Sequence, residues 1–247
     1  MRTVVVDGEE GKVYNGIVGS CLLFSPDGRR VAYAAQVGDK GFVVVDGEGG
    51  KKYDGFGDLV FSPDSRRVAY AAGVGDKLLV VVDGEEGKRY DGIAEGAPIF
   101  SPDSRRVAYA ARLGDKWFVV VDGEEGKKYD DFVGGSLLFS PDDRRVAYAA
   151  QVGDKWLVVV DGEEGKKYDD FVGDSLLFSP DGRRVAYAAR LGDKHTVVVD
   201  GEEGKVYDGI VTKGGRPIIF DSPDNLHYLA TIATKGNQIY LVEEKIS

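Results

Sequence analysis

The sequence predicts an all-β protein: a β-propeller of six four-stranded antiparallel blades, closed by pairing of the N- and C-terminal strands. Three observations predict it. A unit of about 39 residues recurs along the chain, each copy has four short β-strand signals separated by tight turns, and two strands of each copy are apolar at consecutive positions. Blades stacked around an axis bury both faces of such antiparallel sheets.

The repeat is marked by a phenylalanine at the same place in every copy. A fixed period of this length indicates a repeat architecture. We therefore predict one propeller domain over residues 1–247, with repeats that start near residues 21, 58, 97, 136, 175 and 217. The marker residues are 37, 39, 39, 39 and 42 residues apart: Phe24, Phe61, Phe100, Phe139, Phe178 and Phe220.

The fourth copy shows each predicted element clearly. Strand one (136–139) ends at a Ser-Pro-Asp turn, in which proline presets φ and aspartate can bond nearby backbone. Strand two (144–150) ends at a Gly-Asp-Lys turn, and strand three (156–160) has the β-branched residues typical of strands. The Asp-Gly pair at 161–162 opens a predicted turn that closes at Lys166, before a short strand four (167–169).

Tyrosine recurs at one position of strand two and one of strand four. We predict that these periodic aromatic residues pack one blade against the next, and that Cys21 is a small buried hydrophobic residue. A parallel β-solenoid is the structural alternative, but the Asp-Gly turns favour antiparallel hairpins. The tyrosines are Tyr33, Tyr70, Tyr109, Tyr148, Tyr187 and Tyr228 in strand two and Tyr14, Tyr53, Tyr90, Tyr129, Tyr168 and Tyr207 in strand four.

The two chain ends predict how the ring closes. Residues 3–7 match strand three and residues 13–15 match strand four, whereas the last copy supplies strands one to three. Residues 1–16 are therefore predicted to complete the last blade and remove open sheet edges. One strand-three copy is surplus, either 3–7 or 238–242. We expect a monomer, with a dimer paired through the spare strand as the alternative.

A family resemblance supports the fold. The segment FSPDGRRVAYAA (24–35), followed by an apolar strand and Asp-Gly, resembles the WD-like propeller repeats of TolB-type proteins over nearly the whole chain. The Trp-Asp and Gly-His pairs of true WD repeats are absent. The resemblance implies a platform for partners, or a gating domain attached to an enzyme, and it does not name a ligand.

Composition narrows the partners. A net charge of −10 argues against nucleic acid, whose phosphates require clustered Lys and Arg. No apolar run is long enough for a membrane helix, and no signal-peptide pattern is present, which favours the cytoplasm. A single cysteine excludes an intrachain disulfide. The DGEEGK turns have glycine and lysine between their acids, so we predict solvated acidic turns rather than calcium loops and expect no metal or cofactor.

No catalytic constellation is recognisable, so an enzyme is not expected. The two histidines, His195 and His227, lie on different strands of adjacent repeats. Residues 173–176 spell the Gly-Asp-Ser-Leu motif of some lipases, but the segment enters a β-strand with no base nearby. The paired arginines, such as Arg29-Arg30, are interpreted as repeated surface ion pairs of about 0–1 kcal/mol each.

The copies differ mainly on one predicted face. Three places vary from copy to copy. The loops from strand four to strand one read GIVGS, GFGDL, GIAEGA, DFVGGS, DFVGDS and GIVTKGGR. The turns from strand two to strand three open with Gln36, Gly73, Arg112, Gln151 and Arg190, and strand three opens with Gly41, Leu78, Trp117, Trp156 and His195. Rigid blades hold such loops for binding. The predicted partner-binding residues are Asp58, Glu95, Arg112, Trp117, Trp156, Arg190, His195, Lys213 and Arg216.

Three functions remain open at this stage. A non-catalytic binding or scaffold module for a protein or peptide is favoured, because interface hot spots are enriched in Trp and Arg. The near-identity of the copies suggests instead a recently amplified or engineered symmetric repeat protein with no specific ligand. A small enzyme acting at the propeller axis is the third hypothesis.

Overall fold

The structure, a computed structural model, describes residues 1–212, 216–233 and 238–246, with the side chains of residues 19–21 left outside the description. The described residues form β-strands and no α-helix, so the all-β prediction is confirmed. They divide into two compact units, residues 1–126 and 127–247. No described helix has the length and apolarity needed to cross a membrane. The prediction for Cys21 falls on a side chain outside the described part.

The first unit holds a two-stranded sheet followed by three larger antiparallel sheets. The small sheet pairs β1 (Val5–Val6) with β2 (Glu9–Glu10). The others contain β3 (Gly16–Phe24), β4 (Val31–Val37), β5 (Lys40–Val45) and β6 (Glu48–Gly49); β7 (Gly55–Phe61), β8 (Val68–Val74), β9 (Lys77–Val82) and β10 (Glu85–Tyr90); and β11 (Gly92–Ile93), β12 (Ile99–Phe100), β13 (Val107–Leu113), β14 (Lys116–Val121) and β15 (Glu124–Glu125).

The second unit holds three further antiparallel sheets in its described residues. They contain β16 (Asp131–Phe132), β17 (Leu138–Phe139), β18 (Val146–Val152), β19 (Lys155–Val160) and β20 (Glu163–Glu164); β21 (Asp170–Phe171), β22 (Leu177–Phe178), β23 (Val185–Leu191), β24 (Lys194–Val199) and β25 (Glu202–Tyr207); and β26 (Gly209–Ile210), β27 (Ile218–Ser222), β28 (Asn225–Ile232) and β29 (Gln238–Lys245).

Every large sheet begins with the same strand order, one to three, as the repeat predicts. The first strand, however, starts earlier than expected. Asp131 and Asp170 already pair with the second strand, opposite Gln151 and Arg190. The predicted strand-four-to-one loops are therefore wrong for their first two residues, which belong to strand one, and in the first two repeats the whole predicted loop lies within β3 or β7.

From the third repeat onward the first strand is interrupted in the middle, whereas β3 and β7 continue through a bulge. In the fourth and fifth repeats a serine replaces the lost ladder bonds. Ser175 is fully buried, its hydroxyl donates to the carbonyl of Val172 at 2.5 Å, and it accepts the N–H of Ala188 at 3.0 Å. Ser136 does the same between Val133 and Ala149. The serine of the Gly-Asp-Ser-Leu segment thus satisfies backbone groups within a sheet.

The Asp-Gly pairs form hairpin turns, but each turn closes after two residues: Glu163 and Glu164 pair with β19, where the sequence predicted a turn continuing to Lys166. Asp161 and Gly162 both have positive φ, at 53° and 82°, which is the type I′ geometry that Asp-Gly favours. This turn joins β19 to β20 in the fourth repeat, and the other copies repeat it. The twist of such a turn matches the twist of the strands it joins.

The recurring tyrosines pack each sheet on the next within both units, which confirms their predicted role. All twelve are at most 9% exposed. The Tyr168 ring meets the Tyr187 ring of the following repeat edge to face, with centroids 6.1 Å apart. Its hydroxyl donates to Glu203 at 3.2 Å, on the following repeat as well. Tyr53 and Glu86 repeat this contact in the first unit.

The chain ends resolve one part of the closure prediction. In the second unit β29 pairs with β28 along its whole length, so residues 238–242 take the third place in the last sheet. In the first unit β1 pairs with β2, and Arg2 forms an isolated bridge with Tyr14. The six-blade count and the closure of the ring by terminal strands stay predictions.

Candidate functional site

In every repeat but the last, one end of the sheet has a nearly constant sequence, and repeat-to-repeat hydrogen bonds explain that constancy. Asp161, in the Asp-Gly turn, accepts the N–H of Val146 at 2.8 Å and the Nε–H of Arg145 at 3.0 Å. The same guanidinium donates to the carbonyl of Arg183 in the next repeat at 2.6 Å and lies over the Phe178 ring, 5.5 Å from its centroid. The second arginine of each pair therefore joins two repeats, whereas the sequence predicted only a surface ion pair. We call this contact the clamp.

The Ser-Pro-Asp turns at this end also hold themselves in place. Ser179 is buried, donates to Asp181 at 2.6 Å and accepts the N–H of Arg184 at 3.0 Å. The serine hydroxyl is the main reason that the pKa of Asp181 is lowered, and the backbone N–H of Arg183 acts in the same direction. A side chain lost here would leave buried polar groups without partners.

The clamp predicts a difference between two adjacent arginines. Arg145→Ala should lower the free energy of unfolding by about 1–3 kcal/mol, because charge-assisted bonds to Asp161 and to the Arg183 carbonyl are lost. Arg144→Ala should change it by less than about 0.5 kcal/mol, because the Arg144 side chain is 84% exposed. Urea denaturation of both variants is the measurement, and equal effects would contradict the clamp.

At the opposite end of the sheets, an aspartate that the sequence interpretation missed links neighbouring repeats, and Asn15 takes its place at the first sheet. We call this aspartate contact the staple. Asp91 accepts the ammonium of Lys77 and, from the next repeat, the N–H of Gly114 at 2.7 Å. The Lys77 bond is the largest cause that lowers the pKa of Asp91, and the Gly114 N–H also lowers it. The signal was present as the recurring Tyr-Asp pair and the lysine of each Gly-Asp-Lys turn.

Next to this staple, the variable residues form one row across each sheet. Arg112 lies opposite Trp117 and also opposite Gly92 of the first strand. In the second unit Arg190 lies opposite His195. The variation at the turn, at the start of strand three and at the start of strand one is therefore one structural feature: a row of neighbouring side chains at one end of the sheet. We call it the variable row.

The side chains of the variable row are partly ordered by their own sheet. Arg112 donates to the Gly114 carbonyl at 2.8 Å, and its guanidinium lies 5.8 Å from the centroid of the Trp117 ring. Arg190 donates to Asp170 at 3.3 Å, and the His195 Nδ1 lies 3.3 Å from the Asp208 carbonyl. Arg112, Trp117, Arg190 and His195 are all half-buried.

Both tryptophans are half-buried instead of fully exposed. Trp156 exchanges backbone hydrogen bonds with Tyr168 and lines a crevice with Phe171 of the next sheet. A Trp at this position therefore contributes to packing between sheets as well as to the surface. Leu78 is its equivalent in the second repeat.

The structure brings some predicted site residues together and separates others. Asp58 and Glu95 line one cavity of about 640 Å³ in the first unit. Arg216 lines another, of about 490 Å³, in the second unit, together with Asp174. Lys213 lies outside the described residues. The remaining predicted residues lie on the variable rows of their own sheets.

The histidines and acidic side chains form no cluster that could hold a metal ion in the described part of the chain. That part contains no group of three or more His, Cys, Asp or Glu side chains placed to hold a metal ion. The Nδ1 of His227 lies 2.8 Å from a carboxylate oxygen of Asp221, on the adjacent strand of the same sheet. His227 and His195 thus both face groups of their own sheet.

Architecture and contacts together define an all-β protein of repeated antiparallel sheets, and its structural neighbours include β-propellers. No protein-family model matches the chain, and no curated protein is significantly similar to it. The comparisons therefore do not show the family of the chain.

Three solved structures illustrate the similarity. TolB from Acinetobacter baumannii is 18% identical over 78% of this chain and 56% of its own, with a TM-score of 0.39. The β-propeller domain of the Trilobed protease from Pyrococcus furiosus is 14% identical, over 90% of this chain and 82% of its own, with a TM-score of 0.44. A eukaryotic initiation factor is 12% identical, over 97% of this chain and 66% of its own, with a TM-score of 0.56. This chain spans less than two thirds of TolB and of the initiation factor.

Proposed function

We propose that the chain is a non-catalytic binding module that holds a protein or peptide partner against the variable rows. The observation that carries the proposal is the contrast between the two ends of each sheet. Residues at the constant end are occupied by bonds to the next repeat, whereas the variable rows differ from copy to copy on the same rigid frame. Loops and surface side chains held on a rigid scaffold are where binding residues concentrate.

The chemistry of the rows suits a macromolecular partner. Trp117 and Arg112 stack on each other, and Trp156 occupies the equivalent place in the next repeat. Tryptophan and arginine dominate the residues that carry binding energy at protein interfaces. With a net charge of −10, the chain is expected to favour partners with basic groups and not nucleic acid.

The test uses a substitution that the chain already tolerates. In Trp117→Leu/Trp156→Leu, both positions take the residue that the second repeat has as Leu78. The matched control, Arg105→Ala/Arg144→Ala, removes two side chains that are each 84% exposed at the constant end. Immobilised wild-type protein should capture a partner that the control retains and that the double tryptophan variant loses by tenfold or more.

The same experiment separates the alternative functions. Capture that is equal in the two variants would overturn the role of the variable rows. No reproducible partner for the wild-type protein would favour a symmetric repeat protein without a ligand, which the near-identity of the copies supports. Circular dichroism on both variants verifies that the loss of binding does not reflect unfolding.

A further inference from the structure

The cavity in the first unit exists because two neighbouring sheets carry unusually small residues along its wall. Gly57 and Ala94 stand where the corresponding strands of the second unit have Val133 and Val172. Leu78, which also lines the cavity, stands where the third and fourth repeats have tryptophan. Removing side-chain volume at three neighbouring positions opens about 640 Å³.

Two of the positions that line the cavity are occupied by larger side chains in the second unit. There, Trp156 and Phe171 correspond to Leu78 and Ile93, and the crevice between them is too narrow for a water molecule. Larger side chains at these two positions therefore leave less space between the sheets, and the smaller Leu78 and Ile93 help to open the cavity. A volume of about 300–1,000 Å³ is typical of pockets that take a small ligand.

The walls of the cavity are apolar, and its charged groups are all acidic. Phe56, Leu78 and Ile93 supply the apolar surface, and Asp58 and Glu95 supply two exposed carboxylates. The lining residues, all of them within the described part, include no Lys, Arg or His. An apolar stem that ends in a positive charge would complement both parts of the wall.

Asp58 is held in place by the next sheet. One of its carboxylate oxygens accepts the N–H of Gly96 at 2.8 Å, which fixes the bulge of β7 beside the segment that links β11 and β12. A carboxylate accepts several hydrogen bonds, so this contact leaves it capacity to bind a donor. The bond also orients the charge at the wall before any ligand arrives, which lowers the entropic cost of binding.

We infer that this cavity binds a basic side chain, arginine or lysine, of a protein or peptide partner, with the aliphatic stem against Phe56, Leu78 and Ile93 and the cation at Asp58 and Glu95. The inference rests on the proposed function, since it names the chemical group of the partner that binds beside the variable rows of the second and third repeats. The charge complementarity and the apolar depth of the cavity together select this occupant over an anion or a neutral polar group.

The probe is a synthetic peptide in which one arginine lies between two leucines, and its matched partner has citrulline in place of arginine. Citrulline keeps the shape and removes the charge. Titration of isotope-labelled protein followed by NMR should shift the amide signals of Gly57 and Gly96, with the arginine peptide about tenfold tighter. The preference should weaken as salt is raised.

Two variants locate the effect. Asp58→Asn/Glu95→Gln should remove the preference for arginine, while the side-chain amide oxygen introduced at position 58 can still accept the Gly96 N–H. Leu78→Trp, which installs the residue of the third and fourth repeats, should weaken both peptides tenfold or more by filling the cavity. Glu85→Gln, an exposed acid outside the cavity, is the control and should leave both affinities unchanged.

The outcomes separate this inference from the proposed function. Equal binding of the two peptides, no change in the double acid variant, or no binding up to millimolar peptide would each overturn the inference. A tryptophan-dependent partner found by capture would in that case still support the binding module. Conversely, arginine-selective binding here without any partner at Trp117 and Trp156 would support the cavity and contradict the wider role of the rows.

Discussion

Replacement of Tyr168 by alanine should lower the free energy of unfolding by about 3–5 kcal/mol, the usual cost of truncating a large buried aromatic side chain. Tyr168 is 2% exposed and lies between two repeats, where it packs edge to face on Tyr187 and donates to Glu203. The surrounding sheets are rigid, so the cavity that is left behind can collapse only in part. Denaturant unfolding followed by circular dichroism measures the loss.

Tyr168→Phe separates packing from hydrogen bonding at the same place. This variant keeps the ring and removes the bond to Glu203, so we expect a loss of about 1 kcal/mol. A substitution at the exposed residue just before it, Lys167→Ala, should change stability by less than about 0.5 kcal/mol. If Tyr168→Ala cost no more than Tyr168→Phe, the ring would not be a packing contact between repeats.

The repeated tyrosines show why so much of this fold is readable from sequence. The positions of Tyr148 and Tyr168 recur in every complete copy, and only a contact that is itself repeated requires such a pattern. Asp-Gly is similarly informative, because few residue pairs tolerate positive φ at both positions of a hairpin. Consecutive apolar residues in strands two and three likewise indicated that both faces of the sheet are buried.

The interruption of strand one could not be predicted in this way. The segment from Asp170 to Ser175 contains glycine and aspartate, which favour loops, and its two-residue ladder is too short for a periodic signal. What makes it a strand is long-range: pairing with Arg190 and a buried serine that bonds backbone on the second strand. Such side-chain substitution for ladder bonds depends on three-dimensional proximity.

The site was predictable as a surface, and its geometry was not. Comparing copies identified Asp58 and Glu95 as variable, and the structure places both on one cavity. The cavity itself depends on the small residues Gly57 and Ala94. Their size opens a space only where two sheets pack together, and the sequence does not show which residues face each other there. The tryptophans carry the opposite lesson, because Trp156 is variable and yet contributes to packing between sheets.

Alkaline pH is the second condition with a large expected effect: the protein should unfold cooperatively between about pH 10 and pH 12. Burial is the largest cause that raises the pKa of the tyrosines between repeats, to about 12 for Tyr33 and Tyr187 against an ordinary value of 10.0. The pKa values of Tyr53, Tyr90 and Tyr168 shift in the same direction. The folded state therefore holds neutral phenols where the unfolded chain would ionise.

The direction of the pH effect follows from the difference in proton binding between the folded and unfolded states. A raised folded-state pKa contributes stability that is complete below pH 10.0 and is lost as pH rises toward the folded value of about 12. Each such tyrosine removes about 1.4 kcal/mol per pH unit in that window, and several act together, so a marginal free energy of unfolding is exhausted within it. Tyrosinate absorbance and circular dichroism should change together.

Lysines titrate in the same range and need a separate control. The bond to Asp169 raises the pKa of Lys155, so its contribution is also lost as pH rises. In Lys155→Gln the steepness of the alkaline transition should change by much less than one proton, because the Lys155 side chain is 40% exposed. Tyr187→Phe should make the transition less steep by about one titrating tyrosine. Ionisation of the tyrosines at their ordinary pKa, with the circular dichroism signal unchanged, would show that they are not buried between the repeats. The steepness of the transition thus counts the phenols that unfolding exposes, and this count measures how many repeat contacts open as one cooperative unit.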